Sequence, residues 1–212
     1  MKKKMKLKGM APVLAAGTIV GSLGLMSCGS KEEDTEANSG GYAAEQVAEA
    51  LYTVLKSDRT VYAKKVVSRL VNEEKVITAH EEWQENKALL LPAQFFREGA
   101  EIVDAAEKPF DFSYSLQSKW PLNMENAKKQ TPAVVKGLEA ISNESDPAYG
   151  KKWTGEEEIA GQKYFVGIYP DRAVAPACWT CHNEHDNRQP DYPEFKKGDV
   201  MGGIVIRIPI AD

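Results

Sequence analysis

Two cysteines and a histidine fall within five residues, Cys178-Trp179-Thr180-Cys181-His182, and their types and spacing restrict the chemistry open to them. Two thiols separated by two residues can each add across a haem vinyl group. A histidine directly after the second thiol can place its imidazole under the iron as proximal ligand. The pattern is therefore the attachment signature of one covalent haem c, with Cys178 and Cys181 as attachment points and His182 as iron ligand. With ordinary residue frequencies it arises by chance in a chain of this length about once in a thousand. Two other chemistries use the same residue types. A C-x-x-C pair can cycle between dithiol and disulfide, although such motifs sit near a βαβ pattern, which this sequence lacks. Cys178, Cys181, His182 and His185 also suit zinc, but a closed zinc site takes a second ligand pair at matching spacing.

A haem also needs contacts beyond its attachment points. His80 is the first candidate for the sixth iron position, expected on a helix beside Val76, Ile77 and Trp83, and an unfilled position comes second. His185 follows His182 too closely to reach the opposite face of the haem. Met124 and Met201 are of a type that more often packs than ligates. Met/His ligation raises the reduction potential, whereas an open position admits gases. Arg172, Lys196 and Lys197 are candidates to pair with the two haem propionates.

The N-terminal segment reads as an export signal. Lys2, Lys3, Lys4, Lys6 and Lys8 precede a mostly apolar run from Gly9 to Met26. Leu25-Met26-Ser27-Cys28 then resembles the lipobox of bacterial lipoprotein precursors, which makes residues 1–27 a signal peptide and Cys28 the lipidated N-terminus. Acyl chains contribute roughly 0.8 kcal/mol per buried methylene, so lipid would hold the protein to a membrane. Removing the 27 residues before Cys28 from 212 leaves 185 and takes away five lysines but no acid, so the formal net charge falls from −4 to −9. That acidity, with no basic stripe, excludes a nucleic-acid partner. The expected location is the bacterial cell envelope, facing the periplasm or the exterior, where c-type haem is assembled. Two cysteines besides Cys28 exclude a scaffold of several disulfides.

Residues 28–41 are Gly, Ser, Asn and charged types without apolar period, a flexible tether, and a domain over 42–212 follows. Ala44, Val47, Leu51, Val54 and Leu55 recur at helical spacing. Ser57-Asp58-Arg59-Thr60 offers capping side chains between that helix and a second running from Val61 towards Trp83. Pro92 fits the first turn of a helix reaching Ala106. From Phe110 to Gln117 the period changes to alternation, the pattern of a half-buried strand. Thr131-Pro132 opens a short helix, and Trp153 to Ile159 with Tyr164 to Tyr169 flank Ala160-Gly161-Gln162 as a hairpin. Asp171 to Gly198 reads as a long irregular loop carrying the motif and ordered by haem, and Val200 to Ile208 as a closing strand. Helices first and strands later predict an α+β fold with an antiparallel sheet.

Phe165-Val166-Gly167-Ile168-Tyr169-Pro170, the haem motif and the stretch Gly198 to Pro209 resemble the bacterial family of c-type haem PAS-like domains. Leu91-Pro92-Ala93-Gln94 and Ser115 to Asn123 resemble it too, so the likeness spans about Tyr42 to Ile210. The resemblance implies a PAS-like antiparallel sheet with helices ahead of it, binding one haem, often as the sensor part of a signalling protein. Some members of that family use a cysteine as distal ligand, and others carry a methionine after the Pro-Ala-Gln segment. This chain has no further cysteine for that role and carries Phe95 at that place.

The leading expectation is a membrane-tethered monohaem cytochrome that transfers single electrons to a partner protein and is not an enzyme. No kinase or methyl-accepting segment follows Ile210 in the sequence, so a haem-based redox or gas sensor would signal through another protein. A haem enzyme such as a peroxidase ranks last, because no distal acid/base pair is identifiable.

Overall fold

The computed structural model describes residues 41–211. The signal-like segment, Cys28 and most of the tether lie outside them. Among the described residues no helix is long and apolar enough to cross a membrane.

The chain opens with α1, Ala44–Val61, whose start is closed by the Gln46 side chain accepting from the Ala43 N–H at 3.0 Å. The break expected at residues 57–60 does not occur. The Ser57 hydroxyl donates back to the Thr53 carbonyl, and the Thr53 hydroxyl to that of Glu49, so both side chains serve the helix from its exposed face. The helix continues directly into a π-helical extension, Tyr62–Glu73. There the Glu74 N–H reaches the Arg69 carbonyl, five residues back, at 2.8 Å. π-Helical turns are rare and tend to occur at functional sites.

The extension ends at Glu73 rather than near Trp83. Lys75 takes a left-handed φ of 54°, and the chain runs irregularly to Leu91 with one bridge, Ala79 to Leu89. Then α2, Pro92–Ala105, starts with proline in its first turn, where no amide donor is missed. The Gln94 side chain closes that turn by accepting from the Leu91 N–H.

Four antiparallel strands form one sheet in the order β1-β4-β3-β2, with β1 Ser113–Gln117, β2 Trp153–Ile159, β3 Gln162–Arg172 and β4 Val200–Pro209. The helix-then-sheet order bears out the α+β expectation. β1 is shorter at its start than the alternation from Phe110 suggested. Ser113 pairs with Arg207, and β4 ends two residues further on at Pro209, which has no N–H to donate. β2 and β3 meet at Ala160-Gly161, both at positive φ (52° and 83°), as a two-residue hairpin turn requires.

Both faces of the sheet are covered. α1 and α2 pack Ala48, Phe96 and Ala100 on Tyr114, Tyr169, Ile204, Ile206 and Ile208. On the opposite face α4, Pro132–Ser142, packs Val134, Leu138 and Ile141 on Val166, Ile168 and Val205. Burial on both sides explains why β4 is apolar nearly throughout instead of alternating. Gly202 sits where β4 passes β1 so closely that a Cβ would collide with the Gln117 carbonyl oxygen. The short helix α3, Met124–Ala127, links β1 to α4.

Between β3 and β4 the chain leaves the sheet and returns to the same place. The Ala173 N–H donates to the Asp199 carbonyl and the Gly198 N–H to that of Ala173, both at 2.9 Å. The excursion is not wholly irregular, as the sequence suggested: it contains α5, Pro176–Glu184, which carries the C-x-x-C-H motif.

Candidate functional site

Cys178, Cys181 and His182 stand at positions i, i+3 and i+4 of α5 and therefore share one helix face. Pro176 starts the helix, and the Ala177 N–H is received by the Ser68 hydroxyl at 3.4 Å, which fastens α5 to the π-helical extension. The Cys178 thiol is buried in an apolar cluster with Ala63, Ala173, Ala175, Phe195 and Met201. Trp120 and Trp179 pack against that cluster from outside.

The downstream half of the excursion folds back over the motif. Asn183 forms a reciprocal pair with Phe195: its side-chain amide donates to the Phe195 carbonyl at 2.7 Å and its oxygen accepts the Phe195 N–H at 2.9 Å. Arg188 donates to the Asn183 carbonyl and to Glu194. These hydrogen bonds tie the returning segment to the motif helix.

Tyr192 is brought by this fold against His182, its hydroxyl 2.5 Å from Nδ1. Nε2 of His182 has no hydrogen-bond partner among the described residues. Burial lowers the His182 pKa to about 4, helped by the positive charge of Arg59 and by His185, so the imidazole is neutral at pH 7. Burial pushes the Tyr192 phenol up to about 12, so it too is neutral.

Cys181 is half-buried and opens onto a surface cleft of about 290 Å³ lined by Ala79, His80, Glu81, Leu91 and His185 among others. Burial raises its pKa, with Glu81 and Glu184 acting in the same direction. Redox-active thiols instead occupy electropositive surroundings that favour the thiolate. Both cysteines are free thiols. Among the described residues no group of three or more His, Cys, Asp or Glu side chains gathers where it could hold a metal ion by itself.

His80 does share the cleft with Cys181, but it lies on the exposed connection after the π-helical extension and not on a helix. Its Nδ1 accepts the Glu82 N–H at 3.0 Å, which assigns the proton of a neutral ring to Nε2. His185 is similarly engaged, Nδ1 with the Asn187 N–H at 3.1 Å and Nε2 with Glu81 at 3.5 Å. Met124 is exposed, whereas Met201 is buried in the Cys178 cluster.

The propionate candidates read from the sequence lie outside that cluster. Arg172 donates to the carbonyls of Gly198 (2.8 Å) and Gly150 (2.7 Å) from an exposed position. Lys196 and Lys197 are exposed. Two residues that the sequence did not mark as site candidates belong with the motif: Tyr192, against His182, and Arg59, one turn before Ala63 of the Cys178 cluster. Tyr192 stands in the turn-type sequence Pro190-Asp191-Tyr192-Pro193, which gives no hint of its partner. Arg59 was read as a capping residue, although a helix continued through position 59 would have shown a charge on a face shared with Leu55 and Ala63.

No curated protein and no solved structure matches the chain. The sequence pattern of the Tll0287-like family (Tll0287) matches residues 40–209, which takes in every strand, every helix and the motif described above. The chain therefore belongs to the Tll0287-like family.

Proposed function

We propose that the protein is a monohaem c-type cytochrome of the bacterial cell envelope, lipid-anchored through Cys28, that transfers single electrons to a redox partner without enzyme activity of its own. The observation that carries this reading is the common face of Cys178, Cys181 and His182 on α5, with Tyr192 engaging Nδ1 of the histidine. Iron-ligating histidines typically donate their second ring N–H to a neighbouring group, which fixes the tautomer and leaves the other nitrogen for the metal. Tyr192 can receive that proton and leave Nε2 free to ligate. The two thiols would carry the thioether bonds, and the apolar cluster around Cys178 suits a large apolar plate.

The bound haem would supply a one-electron Fe(III)/Fe(II) couple. Cys181, half-buried at the cleft, would leave that haem edge near solvent, where a partner protein can exchange electrons. We read the antiparallel sheet as PAS-like on the resemblance of its strand sequences.

A second reading, a haem-based redox or gas sensor acting through a partner, is favoured by one observation: His80, the nearest histidine from outside the excursion, does not present an unprotonated Nε2. A potentiometric titration of the haem-loaded protein with and without carbon monoxide separates the two. A reversible one-electron step with a spectrum unmoved by carbon monoxide supports electron transfer. A high-spin spectrum that binds carbon monoxide rapidly overturns it in favour of sensing.

A further inference from the structure

Arg59 is the most deeply buried charged side chain near the motif, 7% exposed, on the α1 face that continues through Ala63 and Val67. Its Nη2 donates to Asp171 Oδ2 at 2.6 Å. Its Nε and Nη1 are buried and have no partner among the described residues. A buried guanidinium seldom leaves donors unmet, because removing a charged donor from water without a replacement acceptor is costly. Asp171 satisfies one corner of the fork only.

The unmet donors lie near the motif. Ala63, four residues and one turn after Arg59, packs in the cluster that holds Cys178 and Tyr192. A haem c bound through Cys178 and Cys181 carries its two propionates on the edge opposite the thioether bonds. Ala63 contributes only a methyl group at the intervening position of the helix. Arg172, the arginine adjoining Asp171 in sequence, already donates to two carbonyls.

We propose that Arg59 is the buried anchor of one haem propionate, with Asp171 holding the guanidinium in position. The inference rests on the haem reading above. It assigns the propionate edge to the junction of α1 with the end of β3, and the thioether edge to α5. A carboxylate there would meet the donors that Asp171 leaves open, and Arg is suited to binding carboxylates from several directions.

The test uses the full chain loaded by the c-type maturation machinery, with intact mass for covalent haem and resonance Raman for the propionate bending band, which reports hydrogen bonding to the carboxylates. The variants are Arg59→Lys, Asp171→Asn and the double variant Arg59→Leu/Asp171→Leu. The double variant removes both buried charges together and strands neither. The proposal expects the haem mass in all three. It expects the band shifted to lower frequency in the double variant, shifted part-way in Arg59→Lys, and in place in Asp171→Asn. A band that stays in place in both Arg59 variants, with haem attached, overturns this inference and leaves the haem reading intact. Wild-type protein that acquires no covalent haem overturns the haem reading and this inference with it. If the double variant fails to fold, Arg59→Lys alone decides, since it preserves the charge.

Discussion

The hydroxyl of Tyr192 lies 2.5 Å from Nδ1 of His182, ten residues away in sequence, and this pair joins the Pro-Asp-Tyr-Pro turn to the motif helix. A phenol accepting the Nδ1 proton makes the imidazole a stronger donor to iron and favours the ferric state. Tyr192→Phe keeps the ring and removes the acceptor. The variant is expected to retain covalent haem and to show a reduction potential raised by up to ~59 mV, a tenfold shift of a one-electron equilibrium. Spectroelectrochemical titration beside wild type measures it, and an equal or lower potential contradicts the role given to Tyr192.

The same imidazole makes a pH prediction for protein without haem. In a Cys178→Ser/Cys181→Ser variant, His182 is free to titrate, with a folded-state pKa of about 4 against an ordinary 6.5. The unfolded chain then binds the proton more readily than the folded one. This group's contribution is fully present above pH 6.5 and is lost as pH falls through the interval down to about 4, by up to about 3 kcal/mol. Urea unfolding at several pH values should show that slope, and His182→Gln added to the pair should flatten it. Equal slopes in both backgrounds would contradict the assignment.

His80 gives a sharper test of iron ligation than its cleft position alone. Because Nδ1 accepts the Glu82 N–H, Nε2 carries the proton, and ligation would require that bond to break and the ring to change tautomer. His80→Ala is expected to leave the Soret maximum and the spin state of the loaded protein unchanged. A change from low spin to high spin on this substitution would make His80 the distal ligand.

Asn183 clamps the returning segment to α5 through its paired bonds with Phe195. Asn183→Ala leaves the Phe195 amide groups without these partners, and a loss of about 1–3 kcal/mol is expected. The loss should be local: amide exchange should quicken across 185–199 while the amides of β3 and β4 remain protected.

The elements with strong local signals were legible. Pro132 after a capping Thr131 marked the start of α4, and Ala160-Gly161-Gln162 between two strand-like runs marked the hairpin turn to within one residue, Gln162 opening β3. What misled was polar chemistry that has two uses. Ser57 resembles a cap in sequence, yet its hydroxyl bonds back to its own helix, so α1 and the π-helical extension form one continuous run. The motif helix was hidden because α5 has no one-sided apolar period. Its anchoring comes from Ser68, Phe195 and Tyr192, partners outside the helix that only the fold brings to it. For the site, the three motif residues were readable from spacing. The orientation of His182 and the burial of Arg59 depend on contacts across 10 and 112 residues respectively, which no local pattern encodes.

The central claim, covalent haem on Cys178 and Cys181, is tested most directly by intact mass of the protein expressed with the c-type maturation machinery, read together with its optical spectrum. The account predicts one haem added to the chain, a Soret band that survives denaturation with the polypeptide, and loss of both in Cys178→Ser/Cys181→Ser. A wild-type chain at its bare polypeptide mass with no Soret band would contradict it.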